Sequence, residues 1–421
     1  MSFFEEERIF ENWKLILSLI PGAGIITVLS LKTNVQASHY AVLPLFLQGI
    51  IGVVVGAILF APKWAKLPIH TENEFILHRY LDPFVKPLYY FRAYYLGLII
   101  IPLLIHISVS AVFNASLFPT PLRDTALFSC WLIACIVTFF NNLKNRIILD
   151  ALTGGVNLLF MLIYVLAAFL YPSENASSLK IESLTHFDLL LTLCCFWWMN
   201  NVIDMPDMRA QKLLVLKSQK WSTAVILIPV LIIFLFEAFL VWGPSSSFVQ
   251  PWMIQFLIVL NLIQIISSLQ HWSGGLTSQA TSILFPKSHH VLKKRPYIFL
   301  LIVLFVSFFW SCYLRNTADA LLAFFGLTAG VGPVYILRWY YWRINALTQL
   351  VAMIGPIFIS AIIPLFKNTT LYHELILILP FDELYDTLLI ASLVNITLWL
   401  PTLFLFSKNR MNVLSIIRKL K

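Results

Sequence analysis

Charge is scarce in this chain: Asp, Glu, Lys and Arg make up 12% of 421 residues, against 59% hydrophobic, and the mean hydropathy is +0.84. Soluble domains carry about a quarter charged residues. The deficit excludes a soluble enzyme or regulator and leaves a membrane protein with little mass outside the bilayer. Acidic residues are the scarcer sign, 20 against 29 basic, for a net charge of +9. That surplus does not mark a nucleic-acid partner, because the basic residues lie in short loops between apolar runs, where they report topology. Cysteine is also sparse: Cys130, Cys135, Cys194, Cys195 and Cys312 all fall inside apolar segments. The spacing of Cys130 and Cys135 does not stack them on one helical face, and no His or further Cys is grouped with them, so they read as small apolar filler. A Gly-rich phosphate loop with its lysine is missing, which disfavours ATP hydrolysis. Paired carboxylates and a nucleophile with an adjacent base are missing too, so the chain does not read as an enzyme. The start, MSFFEEERIFENWK, is acidic and amphipathic and lacks the pattern of a cleavable signal.

Long apolar runs are what the chain has in plenty. Twelve can be read, near 15–31, 42–61, 88–115, 124–140, 147–171, 187–203, 222–243, 252–285, 297–314, 318–338, 345–366 and 386–406. Each approaches or exceeds the roughly 20 residues that a helix needs to cross a bilayer. Placing both termini inside assigns Lys63, Lys66, Arg79, Lys144, Arg146, Lys212, Arg338 and the tail from Lys408 to the cytoplasmic side. Lys32, Arg123, Lys180, Arg315 and Lys367 remain outside. The asymmetry predicts both termini in the cytoplasm of a plasma membrane, bacterial inner or similar. The longest inner connection, Ala61 to Pro87, mixes short amphipathic pieces with prolines and predicts a helix along the inner surface.

The first run, LILSLIPGAGIITVLSL from Leu15 to Leu31, is interrupted at its centre by Pro21, Gly22, Ala23 and Gly24. Proline has no N–H to return to the preceding turn, and the glycines remove the side chains that stiffen a helix. Two readings fit. One is a plain kink, since Gly and Pro are common in membrane helices. The other is a broken helix whose freed carbonyls face an ion or solute at the midplane.

Polar residues at membrane depth carry more information than those in loops. His106 in the third run is either a proton site or a hydrogen-bonded packing residue. Asp150 and Asn157 in the fifth face a bundle interior. The sixth run ends WWMNNVIDMPD, so Trp197, Trp198 and Asn200 form either a cavity wall with an amide or part of an interfacial tryptophan belt. Glu237 is the carboxylate placed well inside a run, as an ion ligand or a water-exposed structural group. The eighth run holds Gln264, Ser267, Ser268, Gln270 and His271. Its hydroxyls suit either a hard cation or close helix packing.

Three stretches, in order, resemble the sodium:solute symporter family, which includes the bacterial proline and sugar symporters. They are Glu72 to Gly97 (ENEFILHRYLDP…FRAYYLG), Met208 to Ala224 (MRAQKLLVLKSQKWSTA) and Leu322 to Met353 (LAFFGLTAGVGPVYILRWYYWRINALTQLVAM). The resemblance covers nearly the whole chain. It implies an all-α polytopic membrane protein with a LeuT-like 5+5 inverted repeat and about twelve transmembrane helices. The repeats would span 15–171 and 187–338, with two additional helices over 345–406, in a single transporter domain. The extra helix that family members usually carry before the first core helix is not matched.

The same resemblance implies sodium as the coupling ion, with no covalent cofactor. Ser18 and Pro21 of the first helix and Ser267 and Ser268 of the eighth would hold it. Gln264 stands where the family has a small residue. Gly22, Ala23, His106, Trp197, Trp198 and Asn200 are placed at the cavity for a small organic solute. The expected function is therefore ion-coupled solute uptake by alternating access in a lipid bilayer. Proton-coupled or uncoupled transport by the same fold, and a transport-inactive sensor or scaffold, are the alternatives. The chain is expected to have no nucleic-acid partner, and monomer and oligomer are both open.

Overall fold

The computed structural model describes residues 11–20, 42–67, 69, 72–80, 82–95, 99, 103, 143–170, 190–200, 203–204, 208–242, 305–306, 317–366, 369, 374 and 383–405. These are helical throughout apart from turns and connections. In chain order they form α1 (Asn12–Leu19), α2 (Val42–Leu59), α3 (Ala61–Lys66), α4 (Glu72–Arg79), α5 (Val85–Tyr94) and α6 (Leu143–Leu170). They continue with α7 (Met208–Leu214), α8 (Ser222–Trp242), α9 (Thr317–Thr328), α10 (Gly332–Leu337), α11 (Ala346–Phe366) and α12 (Glu383–Trp399).

Length and composition explain the long elements. Helices α2 and α8 are apolar on every face, so they are stable only where protein or lipid surrounds them. The 28 residues of α6 span about 42 Å at 1.5 Å per residue, more than the ~30 Å hydrocarbon core. Among the described residues, Gly49–Lys66, Gln219–Phe236 and Asp386–Phe404 are long and apolar enough to cross a membrane. Helix α1 begins at Asn12 and stops at Leu19, two residues short of Pro21.

Helix α1 packs along α6 and against α8, and α2 lies between α8 and the sixth-run helix. Helices α11 and α12 pack on each other, with α9 and α5 also against α11. One apolar core centres on Phe60, Trp64, Phe75 and Trp339 and takes in Leu15, Leu19, Leu213 and Leu214. Within it, the Phe75 and Trp339 rings stack with centroids 4.7 Å apart, and Trp64 meets Trp339 edge-on at 5.0 Å. A second core gathers Tyr80, Leu88, Tyr95, Leu327, Met353 and Trp399. The inner connection differs from the expected surface helix. It forms two short helices, α3 and α4, whose Trp64, Phe75 and Ile76 are buried in these cores.

The tenth run also departs from expectation. It is not one continuous helix over 318–338 but two, α9 and α10, separated at Ala329, Gly330 and Val331. Gly330 sits at φ +71°, and Pro333 lies in the first turn of α10, where its missing N–H costs nothing. Every carbonyl from Leu327 to Gly330 is met. Leu327 O accepts from Tyr95 OH at 2.8 Å and Thr328 O from the Val331 N–H at 3.2 Å. Ala329 O accepts from Asn395 Nδ2 at 2.8 Å and Gly330 O from Trp399 Nε1 at 3.2 Å. Asn395 Nδ2 also donates to Ala352 O at 3.0 Å, and it fits against α11 because position 355 is glycine; a Cβ there would overlap Asn395 Oδ1.

A Cβ on Gly330 would lie 2.6 Å from Ser392 O in a left-handed backbone conformation, whereas one on Gly155 of α6 meets nothing within 4 Å. Gly330→Ala is expected to lower stability by about 1–3 kcal/mol. Gly155→Ala is expected to leave it unchanged or raise it by up to about 1 kcal/mol. Thermal unfolding of the two variants in detergent checks the contrast.

Candidate functional site

The end of α1 is held by a buried cation. The last carbonyls of a helix have no partner within it. Here Ser18 O accepts from Lys212 Nζ at 2.6 Å, and the same nitrogen lies 3.0 Å from Asp150 Oδ2 of α6. The side chains of Lys212 and Asp150 are both fully buried. The Ser18 hydroxyl is used locally, donating to Leu15 O at 2.9 Å. Lys212 reaches this point because α7 buries Ala210, Leu213 and Leu214 in the first core and turns Lys212 inward with them. Charge counting treats it as one of several loop lysines. The signal that sets it apart is position: Lys212 leads into the apolar run Leu213–Leu216, while Lys217 and Lys220 lie beyond it and are exposed.

On α6, Asn157 lies seven residues, about two turns, beyond Asp150. It is fully buried, and neither its amide nitrogen nor its amide oxygen has a hydrogen-bond partner. A buried amide without a partner costs about 1–3 kcal/mol.

The sixth run widens into a π-helical turn, Thr192–Phe196, a form that recurs at functional sites. A short α-helical end, Trp197–Met199, follows. Both indole N–H groups return to their own helix, Trp197 Nε1 to Leu193 O at 2.9 Å and Trp198 Nε1 to Cys194 O at 2.7 Å. What the two half-buried rings can offer a ligand is therefore their faces. Asn200 is buried and works as a junction: its Oδ1 accepts from Ser392 Oγ at 2.6 Å and from the Gly330 N–H at 3.3 Å. Its Nδ2 is buried without a hydrogen-bond partner.

Just beyond, Asp204 anchors a network that sequence reasoning did not single out. Its Oδ2 accepts from Arg338 Nε at 2.6 Å and Trp339 Nε1 at 2.7 Å, and Arg338 Nη2 lies 2.6 Å away. The Asp204 carbonyl accepts from Trp64 Nε1 at 2.5 Å. The Arg338 guanidinium also lies over the Tyr335 ring, 4.5 Å from its centroid. Arg79 donates from Nε to Arg338 O at 2.7 Å and from Nη2 to Tyr341 O at 2.9 Å. Tyr80 OH donates to Gln349 Oε1 at 2.7 Å; burial pushes the phenol up to about 12, so it remains a donor at neutral pH. Asp82 accepts from the Ala346 N–H at 2.7 Å at the start of α11. The available signal was position: Asp204 and Arg338-Trp339 each stand directly at the end of an apolar run, and Arg79-Tyr80 ends the short helix of the connection between two runs.

Ser18, Trp197, Trp198 and Asn200 are thus placed. Ser18 joins Lys212 and Asp150, and Asn200 joins Gly330 and Ser392. Pro21, Gly22, Ala23, His106, Ser267 and Ser268 lie outside the described residues, as does the Glu237 side chain.

The fold is similar to that of a solved structure of a substrate-bound, outward-open Na+-coupled sialic acid symporter. The TM-score is 0.63 at 14% identity, covering 95% of this chain and 90% of that one. At that identity the likeness carries the fold, and the fold is the all-α polytopic, LeuT-like architecture expected from the sequence. No family model and no curated protein sequence matches the chain.

Asn200→Ala strands the Gly330 N–H, while the Ser392 hydroxyl keeps Leu388 O at 2.7 Å, and is expected to cost about 1–3 kcal/mol of stability without any ligand present. Arg338→Gln takes the guanidinium from the buried Asp204 carboxylate, leaving it the Trp339 indole N–H, and is expected to cost about 3–5 kcal/mol. Melting of the ligand-free protein checks both; an unchanged Asn200→Ala protein would show that its role as a junction is wrong.

Proposed function

We propose that the chain is a secondary active transporter that couples uptake of a small organic solute to an ion gradient, with sodium as the ion, by alternating access. The observation that supports this reading best is a symporter fold shared over 95% of the chain. Ser18, Pro21, Ser267 and Ser268 are the proposed ion ligands. Gly22, Ala23, His106, Trp197, Trp198 and Asn200 are the proposed solute-site residues. The inverted repeats are 15–171 and 187–338, followed by the two helices of 345–406. The charge asymmetry of the loops supports a plasma-membrane location with both termini in the cytoplasm. The inside-negative potential then supplies about 2.3 kcal/mol per charge per 100 mV to an entering cation. Coupling requires that the ion favour one of the two access states over the other.

One observation favours a second reading, proton-coupled or uncoupled transport. The Ser18 carbonyl, a proposed sodium ligand, already holds the Lys212 ammonium at 2.6 Å.

Uptake by proteoliposomes decides between them. A solute is first found by thermal shift, sodium against potassium, since a ligand that binds the native state alone stabilises it. Sodium is then expected to drive uptake of that solute, and Ser267→Ala with Ser268→Ala to reduce the sodium response by about tenfold or more. Unchanged sodium dependence in that variant removes the proposed ion site, and uptake driven by a proton gradient alone selects the second reading.

A further inference from the structure

We propose that Lys212 is a positioning residue of the transport cycle: a tethered cation that locks the packed pair α1 and α6 onto the α7 arm and releases them when the first span moves. The proposal rests on the transport reading above and adds to it the contact that must break.

Three elements distant in sequence meet at one nitrogen, through Ser18 O, Asp150 Oδ2 and Lys212 Nζ, and all three residues are fully buried. Two of them belong to one packed unit, because α1 lies along α6. The third is on an arm fixed from the other side. Four residues before α7, Asp204 is pinned by Arg338, Trp339 and Trp64, and α7 itself packs on α3. Releasing Lys212 therefore removes the buried polar tie between the α1 and α6 pair and the α7 arm, leaving the apolar contacts of the shared core.

The chemistry suits a contact that must open. The ammonium meets two kinds of negative charge at once, a carboxylate and the carbonyl end of a helix, where the dipole favours a cation. In a dry interior such a pair attracts strongly, whereas an ion pair reached by water is worth little. Water entering beside α1 weakens the lock it is opening, so the closed arrangement gives way as a unit. Apolar residues of the same volume would keep the overall stability but would supply no directed bond from α7 to the end of α1, so the local contact would open more readily.

The test uses the full chain in membrane vesicles, with its five cysteines replaced and Ser18→Cys as reporter. That exchange is nearly isosteric, and Lys212 contacts the backbone of residue 18. Labelling by a membrane-impermeant maleimide from the side of the α1 N-terminus is read without solute or ion. Lys212→Met alone takes the ammonium from beside a buried carboxylate, so the decisive variant is Lys212→Met with Asp150→Leu, and Lys212→Arg retains the charge. The double variant is expected to melt close to the parent and to label faster by about tenfold or more, a clear population shift, while Lys212→Arg stays protected. A folded double variant that labels at the parent rate overturns the proposal. A double variant that fails to fold also overturns it, because the pair is then structural cement. A lock that opens in a protein showing no uptake keeps this inference and rejects the transport reading.

Discussion

The carboxylate of Asp204, held by Arg338 and Trp339, is the contact on which the described architecture depends. It closes separations of more than a hundred residues and is fully buried. Such a pair is not tolerated half-made: the desolvation of each partner is offset only while the other is in place. The same Arg338 presents its carbonyl to Arg79, and the same Asp204 presents its carbonyl to Trp64. One ion pair thus gathers the connection after α2, the exit of the sixth run and the end of α10. The aromatic core of Phe75, Trp64 and Trp339 packs around it and keeps it dry, which is the condition for its strength. Position and polarity support each other there, and neither would persist without the other.

Much of this fold was legible in the sequence because membrane helices declare themselves by length and apolarity. Helices α2, α6, α8, α11 and α12 fall within a few residues of the runs read for them. The inner connection and the tenth run were less legible, for different reasons. In the first, Trp64 and Phe75 look like one face of a surface helix, and only the arrival of Trp339 from far along the chain makes them core. In the second, hydropathy is continuous across LTAGVGP, so the run reads as one span. Local geometry interrupts it, through the left-handed Gly330 and the Pro333 that restarts the helix. Lys212 shows a third limit. A count of loop charges weighs every lysine alike, but burial is decided by the apolar neighbours Leu213 and Leu214, which carry it inside.

The candidate site was read from residue types, and the structure sorts those types by what they have left to offer. Trp197 and Trp198 resembled a cavity wall with polar edges, yet both indole donors are spent on carbonyls four residues back. This is a local bond that any tryptophan in a membrane helix can form, and no sequence pattern distinguishes it from a donor held free for a ligand. Asn200 was chosen for having both a donor and an acceptor. Its acceptor is committed to Gly330 and Ser392, and its donor is not.

An interrupted helix is therefore not by itself a binding site; what matters is who satisfies the groups that the interruption frees. At 329–331 the protein does so entirely, with Tyr95, Asn395 and Trp399 taking the carbonyls that Val331 leaves. No carbonyl there is left for an ion or a solute, and the break serves to dock α12 against α9 and α10. At the end of α1 the freed carbonyl of Ser18 is met by a side chain that carries its own positive charge. That is satisfaction by a cation, the same chemistry that a bound sodium ion would supply, but delivered on a tether. A tethered charge differs from a free ion in one respect that bears on mechanism. Its occupancy does not depend on concentration, so it can time the movement of the helix it holds but cannot draw energy from a gradient. Under the proposed transport reading, a driving ion that used the Ser18 carbonyl would compete with Lys212 for it.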